Sequence, residues 1–399
     1  MTPTKKNPAL EVQEQMISTD KKSKNLKVGI LKESTKDEMR VPLTPVGAGA
    51  IVNAGYKVIM EQGAGLGANY SDADYVKQGI TIASTKRDVI NTADILVKIA
   101  PFTDDEILML PEGKTVFSAV HLNAQRKENI VKLQNKKVTA IAYEFIKEQD
   151  GFSPFMMMMN QITGSVSVMI AAELLSNASG GKGIMLGGVT GITPSEILVL
   201  GTDTAAEYAV RIALGLGSSV KIFDDDLSGL IRMERLFGQH IFTSTFSDKA
   251  LNKAVSSANV IINSLERKPG EGFKITSGHL GLMKKGSVIV DLKTDAGSII
   301  ETSRPTTFDN PTYKIGEVVH YCVPNIPSRV ARTASIAISN VLSPIIVDIC
   351  KAGDILPVLK RSVSLRNGTY LFLGMVTHPQ VAERFDLDLR DLNLLVALF

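Results

Sequence analysis

Glu196-Ile197-Leu198-Val199-Leu200-Gly201-Thr202-Asp203-Thr204-Ala205-Ala206, continued by the helix-patterned Glu207–Leu216 and by Val220-Lys221-Ile222-Phe223-Asp224, is the stretch that decides the fold. An aliphatic run, a glycine turn, a helical stretch and a second apolar run ending in an acid read as strand, turn, helix, strand. Such a unit holds a dinucleotide when the turn lets a diphosphate approach the helix N-terminus and the acid takes the ribose hydroxyls. Asp224 lies 23 positions after Gly201, where the arrangement expects an acid about 20 residues on. Its charge would repel a 2′-phosphate and no arginine follows it closely, so NAD is favoured over NADP. Of the three fingerprint glycines only Gly201 stands. Ala206 is an allowed small residue, but Asp203 occupies a position that is ordinarily bare. A carboxylate about 4 Å from a phosphate repels it by roughly 4 kcal/mol at an effective dielectric of about 20.

Outward from this unit, short apolar runs alternate with helix-like segments. Leu26–Leu31, Tyr56–Met60, Asp94–Ile99, Thr115–Val120 and Val138–Tyr143 read as buried strands on the N-terminal side. Thr44–Asn53, opened by Thr44 and Pro45 and closed by Gly55, carries helix start and stop signals. A glycine-dense stretch, Gly180 to Gly191, interrupts the pattern. A second series follows it: Ile197–Leu200, Val220–Phe223, Val260–Ile262 and Ser287–Asp291. Alternation of this kind predicts α/β architecture with parallel sheets covered on both faces. From about Arg332 to Phe399 the chain reads as helical at first, with no sheet of its own, and is expected to pack back on the first domain.

The 399 residues suffice for about two domains. Lys and Arg number 44 against 41 Asp and Glu, a net charge of +3, and no extended basic block lies beyond the first 27 residues, so a nucleic-acid partner is not indicated. Two cysteines, Cys322 and Cys350, are too few for a disulfide framework and suit a reducing, cytoplasmic setting. No run reaches the roughly 18 consecutive apolar residues of a membrane span. The lysine-rich first 25 residues lack a secretory apolar stretch and read as a flexible tail or a single peripheral helix in preference to a targeting segment. Four consecutive methionines, 156–159, read as an adaptable apolar patch in preference to a metal site.

Five stretches in order, KVGILKESTKDEMRVPLTP from Lys27, EQGAGLGANYSDADY from Glu61, GGKGIMLGGVTGITP from Gly180, GSVIVDLKTDAGSIIETSRPTTFDNPTY from Gly286 and HYCVPNIPSRVARTAS from His320, resemble alanine dehydrogenase and, more distantly, the NAD-binding subunit of transhydrogenase. The resemblance implies two Rossmann-like domains. A discontinuous substrate domain (1–153 with 332–399) receives an inserted dinucleotide-binding domain (154–331). It implies NAD-dependent conversion of L-alanine and water to pyruvate and ammonium, with no metal, in a homo-oligomer that is usually a hexamer.

What the resemblance implies for individual residues follows from these motifs. Arg40, in EMRVPLTP, falls at the substrate-carboxylate position, which suits a planar guanidinium fork. His121, after the strand TVFSAV, matches the catalytic histidine, where a group titrating near neutrality can accept a proton. Alone, a histidine at a strand end would more often be structural. Asp295 matches the second catalytic position, although Ala296, Gly297 and Ser298 replace the residues that usually follow, and an aspartate before Ala-Gly is also a good turn former. The family's substrate lysine is the second of two spaced i, i+2. Here Lys98 matches the first and Ala100 stands at the second, leaving Lys98 as the candidate. Gly201, Thr204, Ala205, Asp224, Ser264, Leu265, Asn325 and Asn160 match cofactor-binding positions, with Asn160-Gln161 a mild departure from the usual residues.

A dehydrogenase is therefore the leading expectation. Asp203, Ala100 and the residues after Asp295 favour an alternative, a catalytically drifted paralogue that binds a metabolite or a partner. A transhydrogenase-like nucleotide-binding component ranks third, since the segment 332–399 stays within the length expected of the dehydrogenase and no membrane span or long linker is expected after it.

Overall fold

The computed structural model describes residues 25–238, 240–266, 272–295 and 297–398. The expected tail, through Asn25, lies almost wholly outside the described residues, as does Ala296. The N-terminal apolar runs form strands β1 (Lys27–Ile30), β2 (Lys57–Glu61), β3 (Thr81–Ala83), β4 (Ile95–Val97), β5 (Thr115–Ser118) and β6 (Thr139–Ala142). The second series forms β7 (Glu196–Leu200), β8 (Ser219–Phe223), β9 (Phe242–Ser244), β10 (Val260–Asn263), β11 (Val288–Asp291), β12 (Thr312–Ile315) and β13 (Val318–Tyr321). Two further strands, β14 (Thr369–Phe372) and β15 (Met375–Val376), come from the last segment.

The strands build two sheets, ordered β15-β14-β6-β5-β4-β1-β2-β3 and β12-β13-β11-β10-β7-β8-β9. Within each, six strands are parallel in the doubly wound order, the chain reversing direction across the sheet between β1 and β4 and between β7 and β10. The expected parallel sheets are present, and antiparallel pairing is added toward one edge of each, by β12 in one sheet and by β14 with β15 in the other. The final segment has no sheet of its own and extends the first one, through β14 on β6.

Side-chain alternation sends successive strand residues to opposite faces. Val28, Ile30, Ile95 and Val97 enter one apolar layer while Leu31 and Leu96 enter another. Ile197 and Val199 face one side of the second sheet, Leu198 and Leu200 the other. With both faces covered, these strands have no polar alternation to show.

Two long helices join the sheets. Pro154–Leu175 packs on the helix Thr204–Gly215 and on Ala331–Ala352. Pro154–Leu175 and the stretch Ile326–Ala352 are long and apolar enough, by length and composition, to cross a membrane. Neither holds an unbroken apolar run, and their apolar residues serve this helix packing. Ala331–Ala352 also carries a ladder of buried serines, spaced i, i+4 on one face. Ser335 Oγ accepts from Val41 N at 2.9 Å, Ser339 Oγ from Thr44 N at 3.1 Å, and Ser343 Oγ donates to the Gly47 carbonyl at 2.8 Å. Thr44 caps the helix Pro45–Asn53, as its sequence predicts, accepting from Gly47 N at 3.2 Å.

Candidate active site

In doubly wound sheets, ligands bind beyond the carboxyl ends of the strands at the reversal of strand order. Loops from those ends in both sheets line one cavity of about 330 Å³. Arg40 comes from the loop after β1, His121 from the end of β5, Tyr143 and Glu144 from β6, Lys293 and Asp295 from β11, and Pro324 and Asn325 from β13. Met156, Met159 and Asn160 of the helix Pro154–Leu175, with Ala205, complete the wall. Met156 and Met159 of the methionine run thus supply an adaptable side to a mostly apolar cavity that carries a few polar groups.

Arg40 is buried and its fork is half occupied. Nε donates to Glu38 Oε1 at 2.8 Å and Nη2 to Glu38 Oε2 at 2.6 Å, while Nη1 lies 3.4 Å from Met159 Sδ at the cavity wall. Burial alone would push the Glu38 carboxyl up, but the Arg40 charge and hydrogen bonds bring it below the ordinary carboxylate range. Asn325 Nδ2 donates to Glu38 Oε2 at 3.0 Å and to the Asp37 carbonyl at 3.2 Å, tying the loop after β13 to the loop after β1.

His121 is exposed toward the cavity and has φ +47. A left-handed conformation is uncommon outside glycine, histidine being among the residues that adopt it more readily, and here neighbours hold it. Glu144 does so: its Oε1 accepts from both Val120 N and His121 N at 2.9 Å.

A second pocket, of about 400 Å³, opens beyond β7 and β8 and is lined by Thr202, Asp203, Asp224, Asp226, Gly229, Arg232, Ser264 and Leu265. Gly201 has φ +114, and a Cβ there would stand 2.3 Å from Ser264 Oγ, so the turn demands glycine. Ser264 locks the turn by donating from both N and Oγ to the Leu200 carbonyl, at 2.8 and 3.0 Å. Asp224 is buried, accepting from Thr202 Oγ1 at 2.7 Å and from Asp226 N at 3.1 Å.

Comparison with known proteins fits this arrangement. Residues 29–163 match the family described as Alanine dehydrogenase/PNT, N-terminal domain, and residues 167–379 its C-terminal domain. The chain belongs to the alanine dehydrogenase/PNT family. It is similar to the alanine dehydrogenase of Methanococcus maripaludis (36% identity over 90% of this chain and 96% of that one) and to that of Mycolicibacterium smegmatis (33% over 91% and 98%). A solved L-alanine dehydrogenase superposes with a TM-score of 0.84 at 32% identity, covering 90% of this chain and 99% of its own. A transhydrogenase from Sinorhizobium meliloti shares the fold, with a TM-score of 0.73 at 21% identity over 88% and 99%.

For this alanine dehydrogenase/PNT family member the residues expected at the site divide into three groups. Arg40, His121, Asp295, Asn160, Ala205 and Asn325 meet at the cavity. Asp224, Ser264 and Leu265 line the second pocket, with Gly201 and Thr204 at the turn between strand and helix. Lys98 joins neither. Its ammonium is fully buried, 2.8 Å from Glu106 Oε2 and 3.7 Å from Glu33 Oε2. Lys86 also pairs with Glu106, at 2.6 Å. The Lys98 and Lys86 charges and hydrogen bonds hold the Glu106 carboxyl down at about 2 against its burial. Glu33 keeps the longer Lys98 contact and accepts from the Ile99 and Ala100 amides, and burial pushes it up to about 7 although Lys98 and these amides oppose the shift.

Sequence reasoning missed Glu38, Glu144, Arg232 and Lys293. Arg232 stands in the Asp224 pocket but donates to the Thr202 carbonyl and to Glu207 Oε2, the latter at 3.2 Å. Lys293 Nζ lies 3.7 Å from Asp203 Oδ2. A lysine two residues before a motif aspartate was the one signal that pointed to it.

Proposed function

We propose that this chain catalyses the reversible, NAD-dependent oxidative deamination of L-alanine to pyruvate and ammonium. The observation that carries the reading is the convergence of Arg40, His121, Asp295 and Asn325, from four different loops, on one cavity between the carboxyl ends of two doubly wound sheets. The residues fit a dinucleotide: the glycine cradle at Gly201, which a Cβ would fill, opens beside the buried acid Asp224, and three aspartates around the Asp224 pocket disfavour a 2′-phosphate. When bound, NAD supplies the acceptor for the hydride leaving the substrate α-carbon.

The chain's own residues do the rest. Arg40, aimed by Glu38, offers Nη1 to the substrate carboxylate. His121 takes the proton of the water that adds to the substrate's iminium carbon, and Asp295 holds the amine and manages its protons. The methionine wall and Pro324 and Pro327 keep bulk water from the reacting carbon.

Residues 1–153 with 332–399 are proposed as the substrate domain and 154–331 as the NAD domain, the first carrying β1–β6 with β14 and β15, the second β7–β13. We place the enzyme in the cytoplasm as a homo-oligomer, a hexamer on the family's plan. Supporting the location, Cys322 and Cys350 are buried as free thiols. The site departs from the plan at Asp203 and Ala100, and full activity with those residues present is part of the proposal.

Purified chain, assayed for NADH formation from L-alanine at alkaline pH beside direct NAD titration, tests the reading. Turnover with alanine is expected. Tight NAD binding without turnover of any small amino acid would instead establish the drifted, metabolite-binding paralogue.

A further inference from the structure

Asp203 and Lys293 stand after different strands, β7 and β11, and meet where the two pockets adjoin. Asp203 lines the pocket that holds Asp224, while Lys293 lines the cavity that holds Asp295 and Asn325. A dinucleotide with its adenosine ribose at Asp224 and its nicotinamide beside Asp295 has to carry its diphosphate across this junction.

The turn's own chemistry is unfavourable to that passage. Asp203 caps the helix Thr204–Gly215, its Oδ1 accepting from Ala206 N at 2.9 Å. It thereby occupies a donor that an anion would use and adds a negative charge. Lys293 answers both effects. Its ammonium lies 3.7 Å from Asp203 Oδ2 and 3.9 Å from Glu266 Oε2, distances of charge pairing without a hydrogen bond to either. With three N–H donors and a side chain 24% exposed, it can engage a further anion. Its backbone is fixed: Lys293 N donates to Asp291 Oδ1 at 3.0 Å, and the fully buried Asp291 is held by Asn263 Nδ2 at 2.9 Å.

Resting on the NAD reading above, we infer that Lys293 is the residue that admits the diphosphate, its ammonium offsetting Asp203 and meeting the phosphate charge, so that the pair replaces the bare glycine turn. Lys293 is a specificity-determining residue for the nucleotide in a chain whose second fingerprint glycine is an aspartate.

Calorimetric titration of the purified full chain with NADH and with ADP-ribose tests this, using wild type, Lys293→Met, Lys293→Arg, Asp203→Gly and the Asp203→Gly/Lys293→Met double variant. Lys293→Met is expected to weaken both ligands tenfold or more. Once Asp203 is glycine, the same change should cause a loss at least threefold smaller. Lys293→Arg should stay within threefold of wild type. ADP-ribose assigns the loss to the diphosphate, since it carries no nicotinamide. Equal losses with and without Asp203, or no loss at all, overturn the inference while leaving the NAD reading intact. A wild type that binds neither ligand at millimolar concentration overturns both. If circular dichroism shows that Lys293→Met does not fold, Lys293→Gln carries the same comparison.

Discussion

Arg40 reaches the cavity with one edge of its guanidinium held by Glu38 and the other facing Met159. Removing either member of a buried ion pair leaves an uncompensated charge, at a cost of about 3–5 kcal/mol. Glu38→Ala is therefore expected to lower unfolding free energy by that amount in urea titration, and to raise the KM for alanine because the guanidinium loses its aim. Arg40→Lys keeps the charge but not the fork. Loss of a charge-assisted hydrogen bond worth about 2–3 kcal/mol predicts a fall in kcat/KM on the order of 100-fold, read by steady-state kinetics. For His121, replacement by Asn removes the proton acceptor while keeping a polar side chain that tolerates φ +47. General-base catalysis contributes roughly 100- to 10,000-fold, so kcat should drop within that range with NAD affinity unchanged.

The helix Pro154–Leu175 crosses the helix Thr204–Gly215 at Gly164, where a Cβ would stand 2.0 Å from the Ala205 carbonyl oxygen. A backbone atom cannot swing aside, so Gly164→Ala has to separate the helices. Overpacking of this kind costs about 1–3 kcal/mol, sometimes more. A lower melting temperature is expected together with weaker NADH binding, because Ala205 lines the cavity and belongs to the turn that receives the cofactor. Legibility in the sequence varied element by element for physical reasons. Strands such as β7 and β10, buried on both faces, announce themselves as continuous apolar runs. Strands β12 and β15 lie at sheet edges, and β14 (Thr369–Phe372), between β15 and β6, joins the first sheet from a segment some 230 residues downstream of β6, a pairing that no local pattern indicates. At the site, Arg40, His121 and Asp295 were readable because each sits in a motif. Glu38, Glu144 and Lys293 matter through partners that folding brings up, such as the Val120 and His121 amides on Glu144. Where Lys98 lies was illegible for a related reason: strand alternation indicates a face, but the claim of Glu106 on its ammonium is a tertiary fact.

Across the whole molecule, buried carboxylates set opposing pH dependences. Glu106, at about 2 in the folded state against 4.5 ordinarily, stabilises the fold above pH 4.5, and that contribution is lost as pH falls through 4.5 toward 2. Glu33, raised to about 7, acts with the opposite sign. Below pH 4.5 it is protonated in both states. Between 4.5 and 7 the unfolded chain ionises it and the folded protein does not, which costs on the order of 3 kcal/mol by pH 7. The comparison is with Glu33→Gln, which keeps one oxygen acceptor where Glu33 offers one each to the Ile99 and Ala100 amides. Relative to that variant, wild type should lose about 2–3 kcal/mol of unfolding free energy from pH 5 to 7. The opposing contributions of the buried His320 and His378, both lowered by burial, cancel from this difference. A parallel decline in both proteins would assign the pH dependence elsewhere.

The serine ladder has a consequence for the order of events in the cell. The arm bearing Arg40 is moored by Ser335, Ser339 and Ser343, nearly 300 residues downstream. A nascent chain that has emerged only as far as β13 already contains both catalytic candidates and the nucleotide turn, yet its carboxylate-binding arm lacks the hydrogen bonds of the serine ladder. Competence to grip a substrate thus arrives late in synthesis, and ribosome-stalled chains ending near residue 330 would expose this arm to protease until the helix Ala331–Ala352 is released.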